Sequence, residues 1–590
     1  DGLGGMEVKP RGEDNVRLAA DIAVLKYLKA NNLLFGDKEN ITHPYPHCWR
    51  CDSPLLNYAT SSWFVKIEEQ KSAILANARQ ISWSPAHIKE GRWGKWLEGA
   101  RDWSISRQRF WASVIPLWVC DKCKTQRVFG SVAELEEASG KKIDDLHKHI
   151  VDEIEFSCRQ CDGFMHRIPD VLDTWFDSGS MPYGERHYPF EKKEEFDRTF
   201  PAQFIAEGLD QTRAWFYYLH ILATSLFRKE AFRNVIVNGI VLAEDGKKMA
   251  KKLKNYPDPM EVVEKYGADS LRYYLLSSPV MQAENLAFSE KGVDEVAKKN
   301  IGRLGNVLAF YKLYADGTPR DWKSGHILDR WILARLDELI REVTKGFDAY
   351  QLDAATRPIT GFIDDLSVWY IRRSRNRFKE AGADKRDALA TLRYVLHRLS
   401  LVMAPPMPFF AEHLFQAVRE GEDEESVHLA AWPEARATAN FIQRILGRGK
   451  EEQKLLRAMQ EARRIVRHAL EERDKAGIKV RQPLNSLRLA AGSLQGVSEE
   501  LLEVVRDEIN VKKIEVGEDT KLDTTITDDL REEGVVRDTM RLIQDARREA
   551  KMKPGEHGKV TIQITPENRV IVEKHLSVLS KQTNTDIGIS

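Results

Sequence analysis

Cysteine is scarce: there are six in 590 residues. A long chain with so few cannot be a disulfide-built scaffold. Net charge is absent as well, with Lys+Arg and Asp+Glu both at 90. Bulk charge therefore points neither toward nucleic acid nor away from it, and local patches must decide. No apolar run reaches the roughly 18 residues of a membrane helix, and no secretory leader is read, so a cytoplasmic protein is expected. The chain opens at Asp1 without a methionine, inside what reads as a continuing domain, and is expected to be a fragment. Hydrophobic residues at 42% and charged residues at 31% describe a globular protein, long enough for three or four domains of about 150 residues.

All six cysteines fall in C-x-x-C pairs: Cys48/Cys51, Cys120/Cys123 and Cys158/Cys161. The last two pairs, close in sequence, predict a four-cysteine zinc ribbon, structural because no ligand position stays open. His147 and His149 lie between them as competing ligands or as part of an exposed helical face. Cys48/Cys51 reads as half a zinc site, since no βαβ context supports a redox pair.

The densest local charge is Lys247-Lys248-Met249-Ala250-Lys251-Lys252, followed by Lys254. It follows an apolar strand (Val235, Ile236, Val237), Asn238-Gly239 and a predicted turn at Asp245-Gly246. Such a loop is either a solvated surface or a cradle for a polyphosphate that gains charge in reaction. Upstream, Phe204-Ile205-Ala206 predicts a short buried strand ending at Glu207-Gly208, with a helix from about Gln211 to Phe227. Strand, helix and strand make half of a parallel α/β unit, whose ligands bind beyond the strands' carboxyl ends. Glu207, Gly208, Asp210 and Gln211 sit there; Asp210 is alternatively a simple N-cap.

Elsewhere, Ile22, Leu25, Leu28 and Leu33-Leu34 predict a helix with one buried face. Arg101, Arg107 and Arg109 alternate with Trp93, Trp96, Trp103 and Trp111, which suits either a nucleotide or RNA surface or a tryptophan-rich core edge. Asp269 and Arg272 are spaced to pair. From Ile327 the chain predicts a helix bundle: Leu328 to Val343, Leu352 to Lys379, and Lys385 to Met403, stopped by Pro405-Pro406. Arg372, Arg373, Arg375 and Arg377 crowd one helix end beside Trp369 and Tyr370. A long helix over 447–481 carries the stripe Leu455, Met459, Ala462, Val466 and Ala469; its Arg463, Arg464, Arg467 and Arg473 face either solvent or RNA. Short strands alternating with helices complete a small α+β tail.

Several blocks together resemble the class I aminoacyl-tRNA synthetases, and within them the isoleucyl branch. GKKMAKK resembles the K-M-S-K-S loop, with Ala250 in place of serine. PHCWRCDSPL, RDWSISRQRFWA, AEGLDQTRAWF, YGADSLRYY, VWYIRRSRNRF, APPMPFFAEHLF and VRQPL follow in the family's order. Ala112 and Ala214 stand where the family has glycine. The resemblance implies isoleucine activation by ATP with Mg²⁺, transfer to tRNA(Ile), and a zinc-bearing insertion. It assigns Lys248 and Lys251 to pyrophosphate stabilisation; Lys248, Met249, Lys251 and Gly239 to ATP; Glu207, Gly208, Asp210, Gln211, Trp175 and Trp215 to the aminoacyl-adenylate; the six cysteines to metal; and Arg372, Arg373, Arg375 and Arg377 to tRNA. The domains expected are a segment after the editing insertion with half a knuckle (1–104), the zinc insertion (105–170), the second half of a Rossmann catalytic domain (171–285), a stem-contact linker (286–325), a helical anticodon-binding domain (326–445) and a C-terminal tRNA-contacting domain (446–590). The H-x-G-H motif and editing domain are not found, so a fragment inactive alone is expected, and a monomer. The alternatives are a valyl or leucyl enzyme, or a non-catalytic zinc and tRNA-binding protein.

Overall fold

A computed structural model describes residues 19–36, 44–48, 51, 55, 61–251, 253–320, 324–436, 448–490, 496–553 and 556–590. Lys252 therefore lies outside the described residues. The chain divides into two compact units: Asp1–Ala76 with Trp96–Phe196 and Trp215–Lys229, and Asn77–Lys95 with Asp197–Ala214 and Glu230–Ser590. Among the described residues, no helix is long and apolar enough to cross a membrane.

The first unit contains an antiparallel four-stranded sheet, ordered Gln126–Val128, Leu117–Cys120, Phe164–Arg167, Phe156–Ser157. Its small core includes Trp118, Phe129, Leu135, Val151 and Met165. The apolar helix Trp215–Phe227 receives the short helix Thr174–Gly179 so closely that a Cβ on Gly179 would lie 3.1 Å from the Tyr218 carbonyl. The predicted N-terminal helix forms over Ala19–Ala30. Its expected buried face does not: Ile22, Leu33 and Leu34 are exposed, because an apolar stripe is hidden only where another element covers it.

His220 of this unit is fully buried and donates through Nε2 to the Ile74 carbonyl at 2.9 Å. Burial holds its pKa down at about 4, so the folded protein keeps it neutral. The unfolded chain takes up that proton first, near its ordinary value of about 6.5. Stability from this group is present above pH 6.5 or so and is lost as pH falls toward about 4, by up to about 1.4 kcal/mol per pH unit. His220→Gln is expected to flatten the fall in melting temperature across that window.

The second unit opens with a three-stranded parallel sheet: β1 (Ser82–Ser84), β2 (Ala202–Gly208) and β3 (Phe232–Asn238), ordered β2-β3-β1. The register pairs Glu207 with Val237 and Gly208 with Asn238. The parallel pairing matches expectation, but the first strand is not buried. Phe204 is 52% exposed, and among the described residues β2 has one neighbouring strand.

A helical bundle follows: α1 (Ile327–Asp348), α2 (Leu352–Asp364), α3 (Arg372–Lys379), α4 (Ala383–Met403) and α5 (Pro408–Val418). A π-helical turn over Asp365–Ile371 joins α2 to α3. Asp269 and Arg272 do not pair as expected. The buried Asp269 carboxylate accepts from the Phe410 amide at 2.6 Å, satisfying an open donor at the start of α5, and Arg272 donates to the Pro405 carbonyl at 3.1 Å.

The tail is built twice. Its first copy is α6 (Arg448–Lys475), β4 (Leu484–Ala490), α7 (Glu499–Ile509) and β5 (Val511–Gly517), with β6 (Lys521–Leu522) added. Its second is α8 (Asp528–Glu549), β7 (Gly558–Ile562), α9 (Pro566–Lys574), α10 (Leu576–Thr583) and β8 (Thr585–Ile589). In each, the two main strands pair in parallel. Equivalent residues keep a constant offset: Arg473 and Arg547, left-handed Gly477 and Lys551, left-handed Asn510 and Asn584. The two arginines are buried, where a solvated or RNA-facing Arg473 was expected. Arg473 donates to the carbonyls of Lys479, Gln482 and Asn510, and Arg547 to those of Lys553, Glu556 and Asn584. Burial draws Arg473 down to about 10. Five donors in a rigid fork let one side chain tie a helix end, a loop and a strand start together.

Candidate active site and metal centre

In the second unit, the carboxyl ends of β2 and β3 bring Glu207, Gly208, Asn238 and Gly239 side by side. Asp210 is not an N-cap. The 3₁₀ turn Leu209–Arg213 starts from Gly208 without a side-chain cap, and Asp210 accepts from Gln211 Nε2 at 3.0 Å. A Cβ on Gly208 would meet Asp210 Oδ1 at 2.8 Å, so that glycine gives the carboxylate its room. Glu207 and Asp210 are exposed and Gln211 is half-buried. The helical run breaks at Ala214, one residue before the long helix. Gly239 is fixed by the fold itself: its amide donates to the Val280 carbonyl at 2.7 Å, and a Cβ would lie 1.9 Å from the Glu284 carbonyl oxygen.

The lysine loop hangs from Val241–Leu242, which pairs with Leu286–Ala287. Asp245-Gly246 makes the expected turn: the Gly246 amide returns to the Ala243 carbonyl at 2.8 Å, with Gly246 at φ 78°. Met249 faces inward against a cluster containing Val262, Phe288 and Val293. Asn255 clamps the far side, accepting from the Ala250 amide and donating to the Lys248 carbonyl, both at 3.0 Å. Lys247 is paired with Asp245 at 3.2 Å. Lys248 and Lys251 are exposed and, among the described residues, have no carboxylate partner. The loop thus presents two uncompensated cations from a pinned backbone. The sequence singled out these lysines; it did not single out Asn255, whose polar side chain looks like any loop residue.

In the first unit, Trp175 and Trp215 are both half-buried. Trp175 stacks on Tyr218 at 5.4 Å between ring centroids, and Trp215 Nε1 donates to the Ser178 carbonyl at 3.0 Å. Trp103 completes the cluster, 4.5 Å from Tyr218. Asp173 accepts from Trp103 Nε1 at 3.2 Å and from Arg107 at 2.6 Å. Arg107 is therefore half-exposed but tied to the buried Asp173, and Trp93 and Trp103 are core, whereas Arg101, Arg109 and Trp111 remain exposed. Tyr218 and Asp173 escaped the sequence reading, since neither stands out by spacing.

The four ribbon cysteines converge: the sulfurs of Cys120, Cys123, Cys158 and Cys161 lie within 4.8 Å of one another. Backbone amides of Cys123, Gln160 and Gly163 point at Cys120, Cys158 and Cys161 at 3.4–3.5 Å. A Cβ on Gly163 would come 2.9 Å from Cys120 Sγ. Thiolate-directed amides around four sulfurs fit a tetrahedral zinc ion. The crowding polarises the thiols. Hydrogen bonding with Thr125 draws Cys123 down to about 6, while Cys161, despite the Gly163 amide, is pushed up to about 12 by Cys120 and its other sulfur neighbours. His147 stands apart, bonded to Asp145 at 2.5 Å. Cys48 and Cys51 join no group of three or more possible ligands among the described residues, because a knuckle supplies only two of the four ligands zinc takes.

Most of the arginines expected to meet RNA pair with carboxylates. Arg377 forks onto buried Asp329 at 2.7 and 2.8 Å, and Tyr370 donates to the same carboxylate. Arg372 and Arg373 both pair with Glu508. Arg375 alone of the four is exposed without a carboxylate partner among the described residues. Arg463 pairs with Asp365, and Arg464 with Glu461.

The family described as "tRNA synthetases class I (I, L, M and V)" matches residues 6–287, and "Anticodon-binding domain of tRNA ligase" matches 329–488. The isoleucine–tRNA ligase of Chlamydia trachomatis serovar D is 47% identical over 514 residues, covering 85% of this chain and 48% of that protein. That of Treponema denticola is 44% identical over 517 residues, covering 84% and 46%. A solved structure of Mycobacterium tuberculosis methionyl-tRNA synthetase with methionyl-adenylate overlaps 64% of this chain and 66% of its own, at 19% identity and a TM-score of 0.46. The chain spans about half the length of the curated relatives it matches.

Proposed function

Because the chain belongs to the class I tRNA synthetases of the isoleucine, leucine, methionine and valine group, we propose that it carries the pyrophosphate-stabilising part of an isoleucine–tRNA ligase. The observation that supports this most is the pinned loop with Lys248 and Lys251 uncompensated. Isoleucine carboxylate attacks the α-phosphorus of ATP, the bond to the β-phosphate bridging oxygen breaks, and isoleucyl-adenylate and pyrophosphate result. No covalent intermediate with the protein is needed, so catalysis is positioning and charge stabilisation.

In this reading Lys248 and Lys251 stabilise charge on the departing pyrophosphate, which travels as its Mg²⁺ complex. Met249, packed inward, and Asn255 hold the loop's shape; Gly239 sits at the nucleotide end. Glu207 and Asp210 offer acceptors to an ammonium or ribose hydroxyls, Gln211 orients Asp210, and Gly208 leaves it space. Trp175 and Trp215 supply apolar walls suited to a side chain with no polar group. Cys120, Cys123, Cys158 and Cys161 would hold zinc, which would tie the ribbon's fold together. The adenylate then passes isoleucine to the terminal adenosine of tRNA(Ile).

For tRNA contact, Arg375 is the member of its cluster whose charge is available. Arg375→Ala is expected to weaken tRNA binding uniformly and to reduce its salt dependence by about one released counterion. The same change at Arg377 should act through stability instead.

The deciding assay is amino-acid-dependent ATP–pyrophosphate exchange, on the chain and on the polypeptide from its complete reading frame. Exchange supported by isoleucine over valine and leucine upholds the reading. Absence of exchange in both, with tRNA binding retained, assigns the chain to a non-catalytic tRNA-binding role. Preference for valine or leucine moves it to a sister enzyme.

A further inference from the structure

One carboxylate of the tail neutralises part of the surface that the bundle offers to RNA. Helix α3 carries Arg372, Arg375 and Lys379 three and four residues apart, so the three share a face. All are exposed, and Arg375 and Lys379 have no carboxylate partner among the described residues. Arg372 differs. Its guanidinium meets one oxygen of Glu508, in the last turn of α7, and Arg373 Nε lies 2.9 Å from the other oxygen.

Nothing local favours Glu508 where it stands. The end of a helix carries partial negative charge, which works against a carboxylate in its last turn. Glutamate is also almost never buried unless paired. Yet this side chain is only 7% exposed, against 45% for Arg372 and 21% for Arg373. Two guanidiniums from another element hold it there. Its own module fixes its position: Leu501, Val505 and Ile509 of α7 are core, and α7 runs into β5 through left-handed Asn510, whose carbonyl Arg473 holds. A second contact joins the same two parts. Arg463 of α6 meets Asp365 at 2.6 Å and stands 5.2 Å over the Trp369 ring. The first tail module is thereby tied to the π-helical turn and to the start of α3.

Backbone binding of RNA is driven by cations that neutralise phosphates and release their counterions. A guanidinium already facing a carboxylate is not available for that. Arg373 is mostly inside and has Asp507 near it as well, so the charge withheld from solvent is that of Arg372.

We propose that Glu508 sets how much of the α3 face RNA can use. It keeps Arg372 off phosphate, so the bundle presents Arg375 and Lys379 and gains less from a backbone of arbitrary path. The proposal rests on the tRNA-contact reading above.

The probes are an unstructured oligouridylate and a tRNA(Ile) transcript, each bound to the full chain between about 50 and 200 mM salt. For the uridylate, Glu508→Gln is expected to steepen the fall of log affinity with log salt by about 0.7, the value of one more phosphate contact on a single strand. Arg372→Gln is expected to leave the native slope unchanged and to remove the gain in the Glu508→Gln chain. A merely structural role for the pair would not produce that coupling. An unchanged slope in Glu508→Gln, with the effect of Arg375→Ala still present, overturns the proposal and leaves the tRNA-contact reading standing. So does a fall of about 0.7 in Arg372→Gln alone, since that arginine would already be on phosphate; this arm decides even where Glu508→Gln does not fold. Binding of neither RNA by any of these chains overturns both.

Discussion

Lys251→Ala is expected to lower isoleucine-dependent ATP–pyrophosphate exchange about 10²- to 10³-fold, in the polypeptide from the complete reading frame. That is the usual loss when one preorganised group facing developing charge is removed. Lys248→Ala should behave alike. The loss should fall on the turnover number more than on the Michaelis constant for isoleucine, because pyrophosphate gains charge only as the bond breaks. The control lies in the same loop. Lys247 is already compensated by Asp245 at 3.2 Å, so Lys247→Ala should cost no more than about threefold. If all three lysines cost the same, the loop acts through bulk charge and the assignment to Lys248 and Lys251 fails. Ala250→Ser should change the rate less than either lysine loss.

What the sequence disclosed follows a physical pattern. Asp245-Gly246 was readable because only a few residue types fit that turn, and the cysteines because metal ligation needs fixed spacing. The helix stripes of α1 and α6 were readable because burial at a 3.6-residue period leaves few alternatives. The arginines misled. A guanidinium carries the same letter whether it faces RNA or forks onto a buried carboxylate. Arg377 on Asp329 and Arg473 on three carbonyls are decided by partners distant in sequence. The tail duplication stayed hidden for a related reason. What it repeats is a buried arginine, a left-handed turn and a left-handed asparagine, while Gly477 and Lys551 differ at a shared conformation. The charged tips Lys248, Lys251, Glu207 and Asp210 were legible, but Asn255, which clamps the lysine loop, was not, nor, in the other unit, were Tyr218 and Asp173 of the tryptophan cluster. Asn255, Tyr218 and Asp173 are ordinary residues given their roles by the fold.

Removing zinc should have the largest structural effect. The ribbon has only a handful of buried residues, among them Trp118, Leu135, Val151 and Met165, and a core that small does not sustain a fold alone. Structural zinc supplies about 10–16 kcal/mol of apparent binding free energy near neutral pH, which in such modules is folding free energy. One zinc per chain is expected by metal analysis. Chelation, or Cys158→Ser, should lower that to none. Trp118, 1% exposed and donating to the Ile154 carbonyl at 2.8 Å, should then meet water. Its fluorescence should shift to the red, and exchange across Leu117–Arg167 should approach that of an unfolded segment. The α1–α5 bundle has its own core around Trp331, Phe362 and Leu396, and its protection should persist. Two zinc ions per chain would bring Cys48 and Cys51 back as ligands. Intact ribbon protection after complete chelation would mean that the four sulfurs are held together by packing alone, and the metal assignment would fall.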